Sequence, residues 1–394
     1  MTEARPLRVL LLHNRYRVVG GEERSLELQL RALERAGVPC ALHERRSADA
    51  GRAGAARALL AGGSSAGAVA DAVRAHDATV VHAHNMLPLI GPRGLAAGRA
   101  AGARVVLHLH NVRLFCATGF GERDGRPCAL CRGRNTLPGV RHNCRCSVPE
   151  AVVYAAALSR HQPTVLDAVD RFVTPSAAAA DRVVDLGLPR ERVEPLRHYL
   201  PDEAFAERTL AAGGAYALIA ARLSPEKGIA DAIAAAGALG VPLKIAGDGP
   251  QRAELEAAAA RSPAPVELLG RVPPAGVREL LAGAAASLMP SRYHEFFGYA
   301  ALEAMAQGVP VVATAMGGLP ELLGPGRCVP EGDLDAFAAR LAALWADPQL
   351  REAEGRELLE RARERHAEDR FVADLLDLYG RLTGCDRSVP RGRT

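Results

Sequence analysis

The chain reads as an α/β protein built from two doubly wound, Rossmann-like halves. Three observations predict it. Short Val- and Leu-rich runs alternate with amphipathic helical stretches, the pattern of a parallel sheet covered on both faces. The alternation breaks over 189–210 and then restarts. The length, 394 residues, suits two domains, because one domain averages roughly 100–200 residues.

In the first half, LRVLLLH (7–13), ATVVHAH (78–84) and ARVVLHLH (103–110) read as buried strands, with RFVTPS (171–176) as the last. Amphipathic helical segments at 22–35 and around 69–75 lie between them. The Pro- and charge-punctuated stretch PRERVEPLRHYLPDEAFAERTL (189–210) is the candidate linker. Beyond it come strands at 216–222, 242–247, 266–270, 287–291 and 310–314, again with helical stretches between. The domains are therefore expected at 1–200 and 201–370, with a charged helix over 371–394 returning to the first and ending in an Arg-rich tail, DRSVPRGRT. Two such halves would face each other across a cleft that receives a ligand at the carboxyl ends of the strands.

Composition narrows the function classes. Hydrophobic residues make up 48% and charged ones 24%, which excludes disorder and collagen-like repeats. A net charge of +4 is too small for a nucleic-acid binder argued on charge. The halves differ more: 1–200 carries 28 Arg and no Lys against 18 acids, a balance of +10, and the rest carries 21 basic and 27 acidic, a balance of −6. The basic half reads either as solvated surface or as the side that meets an anionic acceptor or an anionic membrane face. No apolar run approaches the roughly 18 residues of a membrane span. The N-terminus makes a poor signal peptide, so a cytoplasmic protein is expected, peripheral contact with the inner membrane face included. Its 8 cysteines are then reduced thiols.

The stretch SRYHEFFGYAALEAMAQGVPVVAT (291–314) carries the most chemistry. A strand ends near Ser291, a loop carries Glu295 and Gly298, and a helix begins around Tyr299. Its first turn offers unpaired N–H groups and a positive dipole end to a diphosphate. Glu303 lies about one turn in, where a carboxylate accepts from ribose hydroxyls; the plainer reading is two solvated glutamates. In ARLSPEKGI (221–229), Arg222 and Lys227 flank a loop-to-helix junction and can clamp phosphate. Gly247, Asp248 and Gly249 read as a structural turn, and Arg271 and Val272 could border a nucleobase. Asp333-Leu-Asp335 reads as a helix start, not a metal site.

These pieces resemble the family-4 retaining glycosyltransferases of the GT-B fold: R-x4-K-G from Arg222, G-D-G-P at 247–250, L-G-R-V at 269–272 and E-x-F-G-x4-E-A-M-A-x-G-x-P-V-V-A from Glu295. The resemblance implies that Arg222 and Lys227 hold the donor diphosphate, Glu303 the ribose, and Glu295 with the Phe296, Phe297, Gly298 and Tyr299 segment the sugar. It implies a nucleotide-sugar donor, UDP by the family's habit or GDP, and a lipid-linked, saccharide or natural-product acceptor. No cofactor is needed for the chemistry, and Lys227→Ala is expected to lower turnover with the fold intact. Where the family commonly has E-G-F-G, this chain has Glu295-Phe296-Phe297-Gly298, which leaves the donor sugar open.

In the first half, Gly20 and Gly21 form the loop that, by the same resemblance, reaches the donor phosphates from the acceptor-side domain. His82 and His84 share one strand face, as do His108 and His110; a buried, hydrogen-bonded histidine is the plain reading of each. His110 matches the family's strand-end histidine near the reacting sugar, with Asn111 and Arg113 weaker candidates. Cys116, Cys128, Cys131, Cys144 and Cys146 crowd the insertion at 113–148. C-x2-C followed by C-x-C has the ligand inventory of a structural zinc, with His142 an alternative ligand; reduced thiols that merely pack are the other reading. The region resembles an insertion in a subset of these enzymes implicated in polysaccharide assembly. Three rivals follow: an epimerase or phosphorylase on this fold, a silent nucleotide-sugar binder, and a zinc-finger nucleic-acid binder lacking both a second finger and a recognition helix.

Overall fold

The computed structural model describes residues 5–16, 20–123 and 125–384; the tail at 386–394 lies outside them. The chain divides into two compact units. The first runs to Gly121, resumes over Ala129–His198 and takes in the chain from Asp369. The second holds Glu122–Cys128 and Tyr199–Glu368.

The first unit is built on β1 (Val9–Arg15), β2 (Cys40–Arg46), β3 (Val80–Ala83) and β4 (Arg104–His108). After the short antiparallel hairpin β5 (Glu122–Arg123) and β6 (Arg126–Pro127), the sheet is completed by β7 (Arg171–Thr174) and β8 (Val193–Pro195). The six strands are parallel, in the order β2-β1-β3-β4-β7-β8. Val9–Arg15 is buried at six of its seven positions, the apolar run Val9–Leu12 followed by the buried polar His13 and Asn14, as a strand between two layers of helices requires. Strand order reverses at β1, which puts the crevice for a ligand beyond the carboxyl ends of β1 and β3.

Two strands of this sheet escape the sequence pattern. β2 reads CALHERR and is only partly buried along its length, so it lacks the apolar signature of the strands it flanks. β8 lies inside the stretch expected as a linker, and the strand at Arg171–Thr174 is therefore not the last of its half. Three residues suffice because only Val193 is buried, and Pro195 is tolerated on a sheet edge. The C-terminal helix Glu368–Thr383 packs within the first unit, where Tyr379 is fully buried.

The second unit holds β9 (Tyr216–Ala220), β10 (Leu243–Ala246), β11 (Val266–Gly270), β12 (Ala284–Met289), β13 (Val311–Thr314) and β14 (Cys328–Val329), all parallel. Their order, β11-β10-β9-β12-β13-β14, reverses between β9 and β12. Leu218 packs into a core with Leu302, Met305 and Val311, while Ala217 and Ile219 join Ile233 and Phe337; alternation along the strand separates the two faces. Asp333 caps the helix Leu334–Ala346 by accepting from the Ala336 N–H at 2.8 Å, so this acidic pair does start a helix.

Candidate functional site

In the second unit, the loops after β9 and β12 meet at the reversal of strand order. Gly228 is left-handed (φ +64°), and a Cβ there would lie 2.0 Å from the Pro290 carbonyl oxygen. Only glycine allows that approach. The 221–223 backbone rests on the G-D-G turn: a Cβ on Gly247 would come within 1.8 Å of the Ala221 oxygen, and one on Gly249 within 2.4 Å of the Leu223 oxygen. Those glycines are therefore packing residues that fix where Arg222 and Lys227 begin.

Lys227 and Glu295 are brought together. Lys227 Nζ donates to Glu295 Oε1 at 2.7 Å and to the Tyr293 hydroxyl at 3.0 Å, and lies 4.7 Å from the Tyr293 ring centre. Tyr293 donates to Glu295 Oε2 at 2.6 Å and Ser291 to Oε1 at 2.7 Å. Burial alone would favour the neutral acid, but the Lys227 charge and these three donors hold the Glu295 carboxyl below its usual range. Burial likewise opposes the ammonium, and Glu295 reverses that and raises Lys227. Behind Glu295, its own carbonyl accepts from the Gly318 N–H at 2.8 Å, and Gly317 (φ +59°) presses so close that a Cβ would sit 2.2 Å from that oxygen. Tyr293 and Ser291 escaped the sequence reading; their signal is a polar run directly after a buried strand.

The remaining candidates spread around this cluster. Arg222 and Arg271 are exposed, and Val272 is half-buried. Phe296 and Phe297 are 7% and 6% exposed, so Phe296 fills space where the family has a small residue. Gly298 (φ +100°) starts the helix Tyr299–Ala306, and Glu303 is half-buried on it.

In the first unit, His110 follows β4. It stacks on His108 with ring centres 4.3 Å apart, and its Nε2 lies 3.0 Å from His84 Nδ1. Burial, with His13 nearby, pushes His110 down to about 3, so it is a neutral imidazole. Gly20 and Gly21 are exposed at the start of the helix Gly21–Arg35, where the Gly20 N–H donates to Glu23 Oε2 at 2.8 Å. The next residue, Glu22, was missed by sequence reasoning. Asn111 Nδ2 donates to Glu22 Oε1, while Glu22 Oε2 is buried without a partner. Burial raises the Glu22 carboxyl to about 7 against the opposing pull of Arg113. Arg113, stacked 4.7 Å over the Tyr16 ring, closes the group.

Comparison with known proteins decides the family. Residues 20–197 match the glycosyl transferase 4-like domain, and residues 202–364 match the glycosyl transferases group 1. Both halves are family-4-type glycosyltransferase domains. In structure the chain is similar to HepE from Anabaena in complex with UDP (TM-score 0.68, 18% identity, 95% of this chain and 100% of that one). It is also similar to a sucrose-phosphate synthase from Thermosynechococcus elongatus (TM-score 0.72, 17% identity, 96% and 100%). The fold is thus GT-B. A glycogen synthase of Mycobacterium tuberculosis is 35% identical over 194 residues, 45% of this chain and 46% of the relative. The chain spans about half the length of the curated relatives it matches.

Cys116 Sγ lies 3.1 Å from the Thr118 hydroxyl, and Cys131 donates to the Thr136 carbonyl at 3.9 Å. Among the described residues, two groups bring three metal-ligating atoms within 4.8 Å of one another. Both consist of histidines of the first unit, and neither includes a cysteine. An apolar pocket of the same unit is lined by Leu59, Leu87, Phe115, Leu158 and Val165 among others. Among the described residues no helix is long and apolar enough to cross a membrane.

Proposed function

We propose that the chain is a retaining glycosyltransferase that moves a sugar from a nucleoside diphosphate to an acceptor hydroxyl. The buried Lys227–Glu295 pair at the strand-order reversal of the second sheet carries this reading, because that crevice is where a doubly wound sheet receives a nucleotide. When the glycosidic bond breaks, negative charge grows on the departing diphosphate. A preorganised ammonium at Lys227, the exposed Arg222 and the N–H groups of the helix at Tyr299 stabilise it without a divalent ion. Glu295 orients Lys227 and, through its partner-rich carboxylate, the hydroxyls of the sugar. Glu303 takes the ribose, Arg271 and Val272 border the base, and Gly20 and Gly21 close on the phosphates. His110, neutral and held by His84, positions the sugar or acceptor.

UDP is the favoured nucleotide, supported by the UDP complex of the Anabaena protein of like fold. A lipid-linked, saccharide or natural-product acceptor fits the apolar pocket and the basic first half, at the inner face of a membrane. Cys128, Cys131, Cys144 and Cys146, with Cys116 beside them, offer the ligands of a structural zinc or stay reduced thiols, and metal analysis of the chain purified without added zinc separates the two. Thermal unfolding with UDP, GDP and ADP tests the donor: UDP is expected to raise the midpoint most, by mass action. Anomeric analysis of the product tests retention, and activity in excess EDTA tests metal-independent chemistry. Failure of all three nucleotides to shift the midpoint overturns the reading.

A further inference from the structure

Two neighbouring strands of the first sheet bring three histidines to one place. His82 lies in β3, with His84 just past its end, and His108 ends β4. The register pairs His82 with Val106, so alternation sets His84 opposite His108 on the same face. All three are at most 4% exposed. Their ring centres form a near-equilateral triangle, with sides of 5.2, 5.0 and 5.5 Å. His82 Nε2, His84 Nε2 and both nitrogens of His108 are buried without a hydrogen-bond partner. Leaving a buried polar group unmatched costs about 1–3 kcal/mol, so a cluster of them in one spot calls for something that satisfies them together.

We infer that His82, His84 and His108 form a site for a borderline divalent transition-metal ion of the zinc type. One ligand atom from each of the three lies within 4.8 Å of the others. Tetrahedral imidazole coordination at roughly 2.0–2.1 Å places ring centres on the order of 5 Å apart, as the triangle does. The opposite nitrogens have partners. His82 Nδ1 lies 2.7 Å from the Tyr379 hydroxyl and 3.0 Å from Gln29 Nε2, which also donates to that hydroxyl at 3.0 Å. A metal on His82 Nε2 puts the His82 proton on Nδ1 and requires the Gln29 amide to turn its oxygen, now buried without a partner, toward it. His84 Nδ1 lies 3.0 Å from His110 Nε2. With the protons on Nδ1, such outer partners hold the Nε2 lone pairs toward a metal.

Coordination has a consequence for His110. A metal on His84 Nε2 requires the His84 proton on Nδ1, which then donates to His110 Nε2 and leaves the His110 proton on Nδ1. Metal binding therefore sets the tautomer of the histidine nearest the proposed chemistry, without the metal touching substrate.

The test uses the full chain, stripped with a chelator and titrated with Zn²⁺ and Co²⁺, alongside a Cys128→Ser/Cys131→Ser variant. The expected result is about one equivalent of Zn²⁺ retained by both proteins. Co²⁺ should then give visible d–d bands without a near-ultraviolet thiolate charge-transfer band. Tyr379→Phe, which removes only a hydroxyl, should weaken Zn²⁺ affinity about tenfold, and His84→Asn, folded by circular dichroism, should abolish binding. No retained metal in either protein overturns the proposal. So does metal that disappears with the two cysteines, or that survives His84→Asn.

Discussion

Each of the two sheets reverses its strand order once, and the side chains gathered at the two reversals differ in kind. At the second, between β9 and β12, Lys227, Tyr293, Ser291 and Glu295 satisfy one another, and the buried carboxylate is held ionised by a buried ammonium. At the first, beyond β1, β3 and β4, stacked imidazoles are neutral and several of their nitrogens lack partners. The same topology thus supports a charge-paired site and an uncharged one. The lesson is that the fold supplies the place and the residues supply the chemistry. A paired cation suits a ligand that arrives with negative charge, whereas neutral imidazoles suit a metal ion or a hydroxyl.

The largest effect should come from breaking the pair. Lys227→Met removes the ammonium and strands the Glu295 carboxylate, so turnover should fall by roughly 10²–10³. Stability should fall with it, by about 3–5 kcal/mol, because a buried charge loses its partner. That revises the expectation that Lys227→Ala would leave the fold unaffected. Adding Glu295→Gln should restore most of the stability and none of the turnover. A single variant as stable as the parent, measured by denaturant unfolding, would show that the second reversal is not charge-paired in the way that separates it from the first.

Acid should act on the other member of the comparison. His82 and His110 are pushed down to about 3, chiefly by burial, and His84 and His108 are lowered as well. The unfolded chain, with ordinary histidines near 6.5, binds more protons than the folded one between these values. Their contribution is therefore complete above about pH 6.5 and is lost as pH falls, at up to about 1.4 kcal/mol per pH unit for each histidine. Unfolding midpoints between about pH 7 and 5 check this. A flat profile would mean that the rings are solvated and that the two reversals are less unlike than they look.

How legible these sites were in the sequence follows the same division. The strands β1, β3, β4, β7, β9, β10, β12 and β13 were readable because parallel strands buried on both faces are rich in apolar residues, and the half-buried edge strand β11 was readable from its Val-Leu-Leu run. β2, β8 and β14 were not, since edge strands need bury little; β14 is two residues long and β8 hid within a Pro-rich run. Lys227 and Glu295 were legible as motif residues, but their contact was not: it depends on Gly228 bringing two residues 68 positions apart within hydrogen-bond reach. The histidines were visible as same-face pairs within each strand, while their convergence across strands needed the register. The cysteine spacing was legible as a ligand inventory, whereas the two converging ligand groups among the described residues are histidines from different strands and loops.

The smallest effect, and the one that most sharpens the comparison, concerns Glu22. It sits in the first unit beside Asn111 and Arg113, and burial raises its carboxyl to about 7 from an ordinary 4.5. The folded chain therefore holds this proton more tightly than the unfolded chain does. The resulting stabilisation is complete below about pH 4.5 and is lost as pH rises through about 7. Glu22→Gln keeps an acceptor for Asn111 and cannot ionise. Its stability should match the parent near pH 4 and exceed it near pH 8 by about 1–3 kcal/mol. If the variant is instead weaker at every pH, Glu22 is an anion paired with Arg113. The first reversal would then carry a buried ion pair of its own beside the histidines, and the contrast with Lys227–Glu295 would reduce to whether a helix or a loop supplies the acid.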